Sequence, residues 1–410
     1  MNVLLLIVAC LLRPPCECVA FSATPTAAAA AAAAAAYRKE QNLAQASIEF
    51  RRASELDPSN IDARYGLGQV LSEMGYIDDA VDVFRELIAK DEDDVVTDGK
   101  PSRYKISLAN ILLDGRGEKK EALLIYRQCL SQNVKSAMGL LAGIVLDSMG
   151  NHEEAEECYK NLSKTQNLEE VEQDVALYWM LSKIRQGNGA DAAILRGRLL
   201  DYARTTVDYV MSTSLKHLES PIYYWTFDMI QLALQNCKEM EKGLILEFGV
   251  YHGKTLRMIA SRYTDRDVHG FDTFTGIPED WHATPSGSYS THGTVPSAPN
   301  NVQYHVGLFS DTLPLFLERH EGPIQFMNTD CDLYSSTKDV LDAIHDRIVI
   351  GTVIVFDEYV MNPNWMKDEY KAFQEAVQKY GWEYEYIAIS VATGQAIVRI
   401  TNASTADSSK

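Results

Sequence analysis

A short apolar run followed by two glycines sets the strongest limit on how the C-terminal half of this chain can fold. Leu244 to Phe248 is apolar except for Glu247, and it has the length of a buried strand in a parallel sheet. Gly249 and Gly253 then bracket a turn, and a helical run, Lys254–Arg262, follows. A strand, a glycine turn and a helix in this order predict an α/β domain that binds a ligand at the turn.

The spacing of the glycines indicates the kind of ligand. A dinucleotide site uses the pattern G-x-G-x-x-G to seat a pyrophosphate, whereas this chain reads E-x-G-x-x-x-G from Glu247 to Gly253. The missing glycine disfavours a nicotinamide-dependent dehydrogenase. It suits a ligand without phosphate, whose ammonium and carboxylate groups would be held by Glu247 and the turn. A second predicted strand ends in Asp272, where a carboxylate can accept hydrogen bonds from ribose hydroxyls, so we expect S-adenosylmethionine as the cofactor.

Acidic residues recur where two further predicted strands end. The fourth strand leads into Asp330 and Asp332, and the fifth leads into Asp357 and Glu358. Since the carboxyl ends of parallel strands meet at one edge of a sheet, these carboxylates would lie close together and repel one another. A magnesium ion would offset the repulsion and leave positions for substrate oxygens. The alternative is that the aspartates cap helices, although a cap accounts for one acid per strand and not for two.

A long segment rich in turn residues, residues 273–301, separates the second and third predicted strands. A loop of this length in a compact domain is usually either disordered or a working lid. His282 and His292 lie in it and are candidates for a base or for substrate binding. Most loop histidines have neither role, so a functional role and no functional role both stay open for them.

The N-terminal half repeats with a period of 34 residues. Its sets of small, aromatic and small residues are Ala46, Phe50 and Ala53; Ala80, Phe84 and Leu87; Ala122, Tyr126 and Cys129; and Ala155, Tyr159 and Leu162. This spacing resembles the tetratricopeptide repeat, in which small residues let two helices approach and the aromatic packs on the next repeat. We expect an all-α solenoid over residues 37–165, interrupted by an insertion around residues 95–101. Its concave face would bind a peptide or protein, and a spacer or dimerisation arm is the alternative.

The first 36 residues have the composition of a targeting leader. An apolar run too short to span a bilayer, Val3 to Leu12, precedes a small-residue exit at Cys18 to Ala20, and this order is typical of a signal peptide over residues 1–20. The alanine-rich residues 21–36 predict a linker behind a secretory leader, or the second part of a bipartite plastid-targeting leader. We expect entry into the secretory pathway, with the plastid as the alternative. Residues 166–200 are expected to form a helical connection, and residues 403–410 a disordered tail.

Charge and cysteine content narrow the classes of partner. The chain has 410 residues, of which 57 are acidic and 38 are basic, giving a net charge of −19. This balance disfavours nucleic acid, because few basic groups are available to neutralise phosphates. Three of the seven cysteines lie in the leader, and the other four lack disulfide or metal spacing. We expect a small-molecule acceptor, no nucleic acid and no transmembrane span after leader removal, and a homo-oligomer is left open.

Four motifs in order carry a family resemblance. They read EFGVYHG from Glu247, GFDTFTGIP from Gly270, DCDLYSST from Asp330 and FDEY from Phe356. Together they resemble the macrocin O-methyltransferase family, whose members are metal-dependent sugar O-methyltransferases that use S-adenosylmethionine. The resemblance covers the C-terminal half of the chain. It implies an α/β Rossmann-like methyltransferase domain over residues 201–402, preceded by the all-α tetratricopeptide-repeat solenoid.

The pattern and the resemblance together define the expected site. The residues expected to hold the cofactor are Glu247, Phe248, Gly249, Gly253, Lys254, Thr255, Asp272, Thr273, Phe274 and Ser310. Asp330, Asp357 and Glu358 would bind magnesium, although the family usually has Asp-Asp where this chain has Asp357 and Glu358. Asp330 or Asp332 would act as general base on an acceptor hydroxyl of a sugar or another small polar molecule. The alternative is a catalytically silent methyltransferase fold that serves as an interaction scaffold.

Overall fold

The computed structural model describes residues 26–90, 103–131, 137–164, 172–213 and 225–403. The predicted signal peptide, the insertion around residues 95–101 and all but the first residue of the predicted tail lie outside these ranges. The chain divides into two compact units, Met1–Arg204 and Thr205–Lys410. In the described part of the chain, no helix is both long enough and apolar enough to cross a membrane.

The first unit is a succession of antiparallel helices. The described helices are α1 (Ala27–Lys39), α2 (Leu43–Leu56), α3 (Ile61–Glu73), α4 (Ile77–Lys90), α5 (Arg103–Arg116), α6 (Lys119–Ser131), α7 (Ala137–Ser148), α8 (His152–Ser163), α9 (Glu172–Arg185) and α10 (Gly189–Arg196). Each helix packs against the next along the chain. Ala27 and Ile61, which begin α1 and α3, are 34 residues apart, as are Leu43 and Ile77, which begin α2 and α4. The structure therefore confirms the solenoid and its period.

Glycines on facing helices make room for the aromatic residues Phe50 and Tyr159 of two repeats. A Cβ atom added to Gly66 of α3 would lie 2.5 Å from the ring of Phe50 in α2. A Cβ atom on Gly143 of α7 would lie 2.7 Å from the ring of Tyr159 in α8. Both rings are buried. The aromatic rings therefore pack against the facing helices. Those helices can come this close only because a glycine, without a side chain, stands at the point of contact.

Two segments predicted as connections are helices of this first unit. The alanine tract, assigned above to a leader or linker, forms most of α1, and Ala30 and Ala34 are buried in its packing against α2. Alanine has the highest intrinsic helix propensity, and its small side chain permits close packing. The predicted helical connection contains the pair α9 and α10. Gly187 stands in the turn between them with φ of +74°.

The second unit is built around one seven-stranded sheet. Its strands are β1 (Leu244–Phe248), β2 (Val268–Asp272), β3 (Val302–Val306), β4 (Ile324–Thr329), β5 (Val353–Phe356), β6 (Glu383–Ile389) and β7 (Ala396–Asn402). Their order is β3-β2-β1-β4-β5-β7-β6, and β7 runs in the direction opposite to the other six strands. The mostly parallel α/β fold predicted from the sequence is confirmed.

Helices cover both faces of this sheet. They are α11 (Asp201–Ser212), which crosses from the first unit, α12 (Thr226–Asn236), α13 (Lys254–Arg262), α14 (Phe309–Arg319), α15 (Tyr334–Ile344) and α16 (Glu369–Tyr380). One apolar cluster joins β1 and β4 to α14, α15 and α16, and a second joins the other face to α12 and α13. The sheet is therefore buried on both sides, as its nearly continuous apolar strands predict.

The strand order reverses direction between β1 and β4. Gly249 follows β1 with φ of +82°, and a Cβ atom there would lie 1.7 Å from the carbonyl oxygen of Asp330. The Asp330 N–H in turn donates a hydrogen bond of 2.8 Å to the Phe248 carbonyl. Gly249 is thus required because the end of β4 approaches its backbone closely. The sequence alone suggests a different reason, the close approach of a ligand. Open α/β sheets bind ligands at such a reversal.

Candidate functional site

Glu247 lies in β1, beside the point where the strand order of the sheet reverses, and one of its carboxylate oxygens has no hydrogen-bond partner among the described residues. The side chain is 0% exposed. Its Oε1 accepts hydrogen bonds from the Thr255 hydroxyl and, at 2.8 Å, from the side-chain amide of Asn328. Its Oε2 is buried and has no hydrogen-bond partner among the residues that the structure describes. Burial raises the pKa of Glu247 to about 8, against the hydrogen bonds from Thr255 and Asn328. An unsatisfied buried oxygen of this kind suits the ammonium group of a ligand.

Asp272 holds the turn that follows β1. Its Oδ2 accepts the backbone N–H groups of Val250 at 2.7 Å and Tyr251 at 2.8 Å. Its Oδ1 accepts the N–H of Phe274 at 2.6 Å. The sequence interpretation assigned this carboxylate to ribose hydroxyls alone. Since a carboxylate oxygen can accept more than one hydrogen bond, Oδ1 retains capacity for such a hydroxyl in addition to its structural role.

Two predicted cofactor residues have their side chains in the core. The ring of Phe248 is fully buried and stacks on Phe271 with 4.9 Å between ring centroids. The ring of Phe274 is buried against Tyr304, at 5.7 Å between centroids. Their rings therefore support the sheet and the loop, and the predicted cofactor contacts of these two residues would come from their backbone atoms.

The other predicted cofactor residues lie at helix starts or turns. Gly253 is the N-cap residue of α13 with φ of +74°, and Lys254 and Thr255 form its first turn. Ser310 is exposed in the first turn of α14. The Thr273 hydroxyl donates a 3.1 Å hydrogen bond to the Gly276 carbonyl and closes the turn after β2. Helix starts present N–H groups without intrahelical partners, which suits polar groups of a ligand.

The carboxylates after β4 and β5 form one acidic cluster. Burial raises the pKa of Asp330 well above its usual range, and the charges of Asp357 and Asp332 raise it further. The pKa of Asp332 is raised in the same way, by burial and then by Glu358 and Asp357. Burial, followed by the charge of Asp357, raises the pKa of Glu358 to about 7. The side-chain amide of Gln395 donates to Asp357 at 2.5 Å.

The geometry of this cluster does not provide a metal site. Within the described ranges, no group of three or more His, Cys, Asp or Glu side chains is arranged to hold a metal ion. Magnesium requires near-octahedral oxygen ligands at short distance. The predicted ligands Asp330, Asp357 and Glu358 thus have the charge that attracts a divalent cation but not the ligand arrangement.

A fifth acid, Glu369, was not identified from the sequence. It begins α16 and is 0% exposed. Its Oε1 accepts the N–H of Cys331 at 3.2 Å, and its Oε2 accepts the N–H of Glu358 at 3.1 Å. Burial raises its pKa well above the usual range, and the charge of Asp357 adds to this. An acid in the first turn of a helix is common, so no local signal distinguishes it.

Side-chain contacts connect the loop over residues 273–301 to the neighbouring helices. His282 Nε2 lies 2.9 Å from a carboxylate oxygen of Asp368, the residue before α16. The hydroxyl of Ser335 in α15 donates to the Glu279 carboxylate at 2.5 Å. Of the two interpretations, disordered segment or lid, these contacts favour an ordered cover. His282 therefore has a structural partner, which the sequence did not indicate.

Tyr289 brings an aromatic hydroxyl from this loop to the acidic cluster. Burial and the charges of Asp332 and Glu358 raise its pKa. Its ring packs edge to face with Tyr251 of the glycine turn, at 6.2 Å between centroids. His292, the other loop histidine, is exposed. The sequence indicates the two histidines but not this tyrosine, because a single aromatic in a turn-rich segment has no distinguishing spacing.

Comparison with known families agrees with both halves of this architecture. A family model described as a methyltransferase domain matches residues 246–359, from within β1 to just past β5. Models described as a TPR repeat and a tetratricopeptide repeat match residues 34–75 and 61–94. The methyltransferase match covers less than half of the chain. No curated protein matches the chain in sequence.

Solved structures also match parts of the chain at low identity. CalS11, a calicheamicin methyltransferase, is 20% identical, with 57% of this chain and 94% of that chain covered and a TM-score of 0.33. The O-methyltransferase NovP is 19% identical, with coverage of 49% and 100% and a TM-score of 0.32. MamA is 18% identical, with coverage of 43% and 97% and a TM-score of 0.36. Similarity at this level carries no functional argument. The family matches and the fold identify the chain as a tetratricopeptide-repeat region followed by a methyltransferase domain.

Proposed function

We propose that this chain is an S-adenosylmethionine-dependent O-methyltransferase that acts on a hydroxyl of a sugar or another small polar acceptor. The methyltransferase domain implies the cofactor, which when bound supplies an electrophilic methyl group. The observation that carries the proposal is the buried Oε2 of Glu247, which has no partner among the described residues. It lies at the strand end beside the strand that leads into Asp330 and Asp332.

In this proposal the chain holds the cofactor through its charged and polar ends. Glu247 Oε2 would accept hydrogen bonds from the ammonium group, which replaces an unsatisfied buried atom with a charge-assisted contact. The N–H groups at the start of α13 would receive the carboxylate. Asp272 would contribute by fixing the backbone of Val250 and Tyr251 and by accepting a ribose hydroxyl.

The acidic cluster supports transfer to oxygen. A hydroxyl acceptor must lose its proton as it attacks the methyl group, and a carboxylate whose pKa is raised towards neutrality is the better base. Asp330 and Asp332 both have raised pKa values. Asp332 also has φ of +58°, a backbone conformation that costs on the order of 1 kcal/mol outside glycine. Either aspartate would take the proton, and the enclosing loop would hold the acceptor in line with the methyl group.

Magnesium is a separate part of the proposal. The crowded charges of Asp330, Asp357 and Glu358 would favour a nearby divalent cation. The described residues do not form a ligand arrangement for it, so the proton transfer and the attack proposed here use protein groups alone.

We also propose that the repeat region binds a peptide or protein, or contributes to assembly. Stacked helical repeats offer an extended surface for such contacts. The competing possibility is that the whole chain is an interaction scaffold whose methyltransferase fold is silent. Turnover separates the two, since a scaffold would bind a partner without transferring a methyl group.

The test is calorimetry of the full chain with S-adenosylmethionine, followed by mass-spectrometric screening of monosaccharides and methyl glycosides for methylation. We expect saturable binding, and we expect Glu247→Gln to weaken it at least about ten-fold by removing a charged acceptor. Glu239→Gln is the matched control, since Glu239 is 71% exposed and pairs with Arg266. No binding by the wild-type chain would overturn the proposed function, and binding without any transfer would favour the scaffold.

A further inference from the structure

The backbone hydrogen bonds of the sheet extend to Asp330 and Asp357, the first acids after β4 and β5. The last paired residues are Thr329 and Phe356, and the final backbone bond is from the Asp357 N–H to the Thr329 carbonyl at 3.0 Å. Asp332 and Glu358 lie beyond it. The sheet therefore holds Asp330 and Asp357 through backbone hydrogen bonds, whereas the positions of Asp332 and Glu358 depend on contacts beyond the sheet.

Glu369 provides a contact across this gap. One carboxylate oxygen accepts the N–H of Cys331, which follows Asp330, and the other accepts the N–H of Glu358, which follows Asp357. The carboxylate thus bridges the two strand ends beyond the point where they pair directly. Because it is fully buried and belongs to the first turn of α16, its own position is set by the packing of that helix.

Asp368, the residue before Glu369, contacts the loop over residues 273–301. Asp368 is 4% exposed and pairs with His282 of the loop at 2.9 Å. Two consecutive acids at the start of α16 therefore contact the ends of β4 and β5 and the covering loop. At the start of this helix, adjacent residues therefore hold these three parts of the site.

We propose that Glu369 is a positioning residue that sets the separation between Asp332 and Glu358, the acids just beyond the paired ends of β4 and β5. This inference rests on the proposed function, in which these acids serve an acceptor hydroxyl. Glu369 accepts two backbone N–H groups and takes no proton from the acceptor. Its effect on the reaction comes through the backbone of the acids that it bridges, since small displacements of reacting groups lower the rate strongly.

The experiment compares Glu369→Leu, which removes both acceptors at similar size, with Glu369→Gln, which keeps one acceptor. Glu375→Gln is the control, because Glu375 is exposed on the same helix and accepts a hydrogen bond from the Tyr334 hydroxyl. Backbone amide hydrogen exchange is measured in the full chain for peptides that contain Cys331 or Glu358 and for a peptide from β1. Cofactor affinity is measured by calorimetry. Turnover is measured with the methyl glycoside that is methylated best in the mass-spectrometric screen described above.

We expect Glu369→Leu to speed exchange in the Cys331 and Glu358 peptides and to lower turnover roughly 10- to 100-fold. Exchange in β1 and the affinity for S-adenosylmethionine should stay unchanged. Glu369→Gln should be intermediate, and Glu375→Gln should match the wild type. Should Glu369→Leu fail to fold, the glutamine variant alone decides the question.

Two results would overturn the inference. Faster exchange throughout the domain, with weaker cofactor binding, would make Glu369 a residue of general stability. Wild-type turnover in Glu369→Gln and Glu369→Leu would show that the separation of the acids does not depend on it. Absence of cofactor binding by the wild-type chain is a different outcome, which overturns the proposed function and, with it, the catalytic meaning of the bridge.

Discussion

The hydroxyl of Thr255, in the first turn of α13, donates a hydrogen bond to Oε1 of Glu247 at the end of β1. Asn328 of β4 donates to the same oxygen at 2.8 Å. Three elements therefore meet on one side of the carboxylate, and the opposite oxygen is left for a ligand. A helix, and not only the glycine turn, orients the acid that we expect to bind the cofactor.

Replacement of Thr255 by valine should weaken cofactor binding while leaving the fold intact. Valine keeps the branched shape but removes a hydrogen bond to a charged group, which is worth about 1.5–3 kcal/mol, so affinity for S-adenosylmethionine should fall at least ten-fold. Calorimetry with the variant and the wild type measures the change. Thr255→Ser, which retains the hydroxyl, should recover most of the affinity. Equal affinities for valine and wild type would mean that the hydroxyl does not orient Glu247.

Removal of divalent cations should leave cofactor binding unchanged. The proposed cofactor contacts follow β1 and β2, whereas the candidate magnesium ligands Asp330, Asp357 and Glu358 follow β4 and β5. The affinity for S-adenosylmethionine is therefore measured with and without excess chelator. A loss of affinity in chelator would contradict this separation of the two parts of the site.

Turnover in the same samples reports on magnesium itself. Transfer that continues in excess chelator would assign the chemistry to the protein carboxylates. Transfer that stops and returns with added magnesium would assign a cation to the acidic cluster, and Glu358→Asp should then retain activity while Asp357→Asn loses it.

Acid should destabilise the second unit through a buried histidine pair. His269 Nδ1 and His305 Nε2 are 3.2 Å apart, and burial lowers their pKa values to about 3 and about 4. His320 packs against both rings. The native state thus binds fewer protons than the unfolded chain below pH of about 6.5, so stability falls as the pH drops from there towards 4.

Replacement of His269 by phenylalanine should reduce this pH dependence. His269 is 2% exposed, and its loss should make the decrease in unfolding free energy between pH 7 and pH 5 smaller by about 1–2 kcal/mol. Urea denaturation at each pH measures it. His345→Phe is the control, since His345 is exposed and stacks on Tyr380. An unchanged pH slope in the His269 variant would rule out this source of acid sensitivity.

The repeat region should fold as a separate fragment. Residues 26–204 contain the helical pairs, and repeats are stabilised by contacts with their neighbours. We expect helical circular dichroism and a cooperative melt. Phe84→Ala should lower the unfolding free energy by about 3–4 kcal/mol because the ring is fully buried, whereas Leu124→Ala, at a 57% exposed site, should have little effect. A fragment without cooperative melting would show that the first unit depends on the second.

The sequence predicts those parts of the site that depend on local order along the chain. Glu247, its turn and α13 follow one another directly, and the strand–turn–helix pattern is sufficient to identify them. The acids after β4 and β5 are distant in sequence but follow from the rule that parallel strands end at one edge. The 34-residue period likewise predicts the solenoid, because each repeat carries its own packing residues.

The residues that the sequence does not predict enter the site from elements with no distinguishing pattern. Glu369 is an acid at a helix start, and Tyr289 is an aromatic in a loop, and both types are common in roles without function. Asp272 and Gly249 stay predicted site positions, and their contacts in the structure are with the protein backbone. The alanine tract has a composition shared by leaders and helices, so only packing against α2 distinguishes them.

The pKa of about 8 at Glu247 implies that the empty site is neutral at this position at pH 7. A cationic group that settles beside Oε2 would favour the ionised carboxylate and therefore displace a proton into solution. Capture of the cofactor would then be an exchange of one cation for another inside the domain, with no net charge brought into its interior. Glu247 in this way avoids the free-energy cost of a buried unpaired charge when no cofactor is bound.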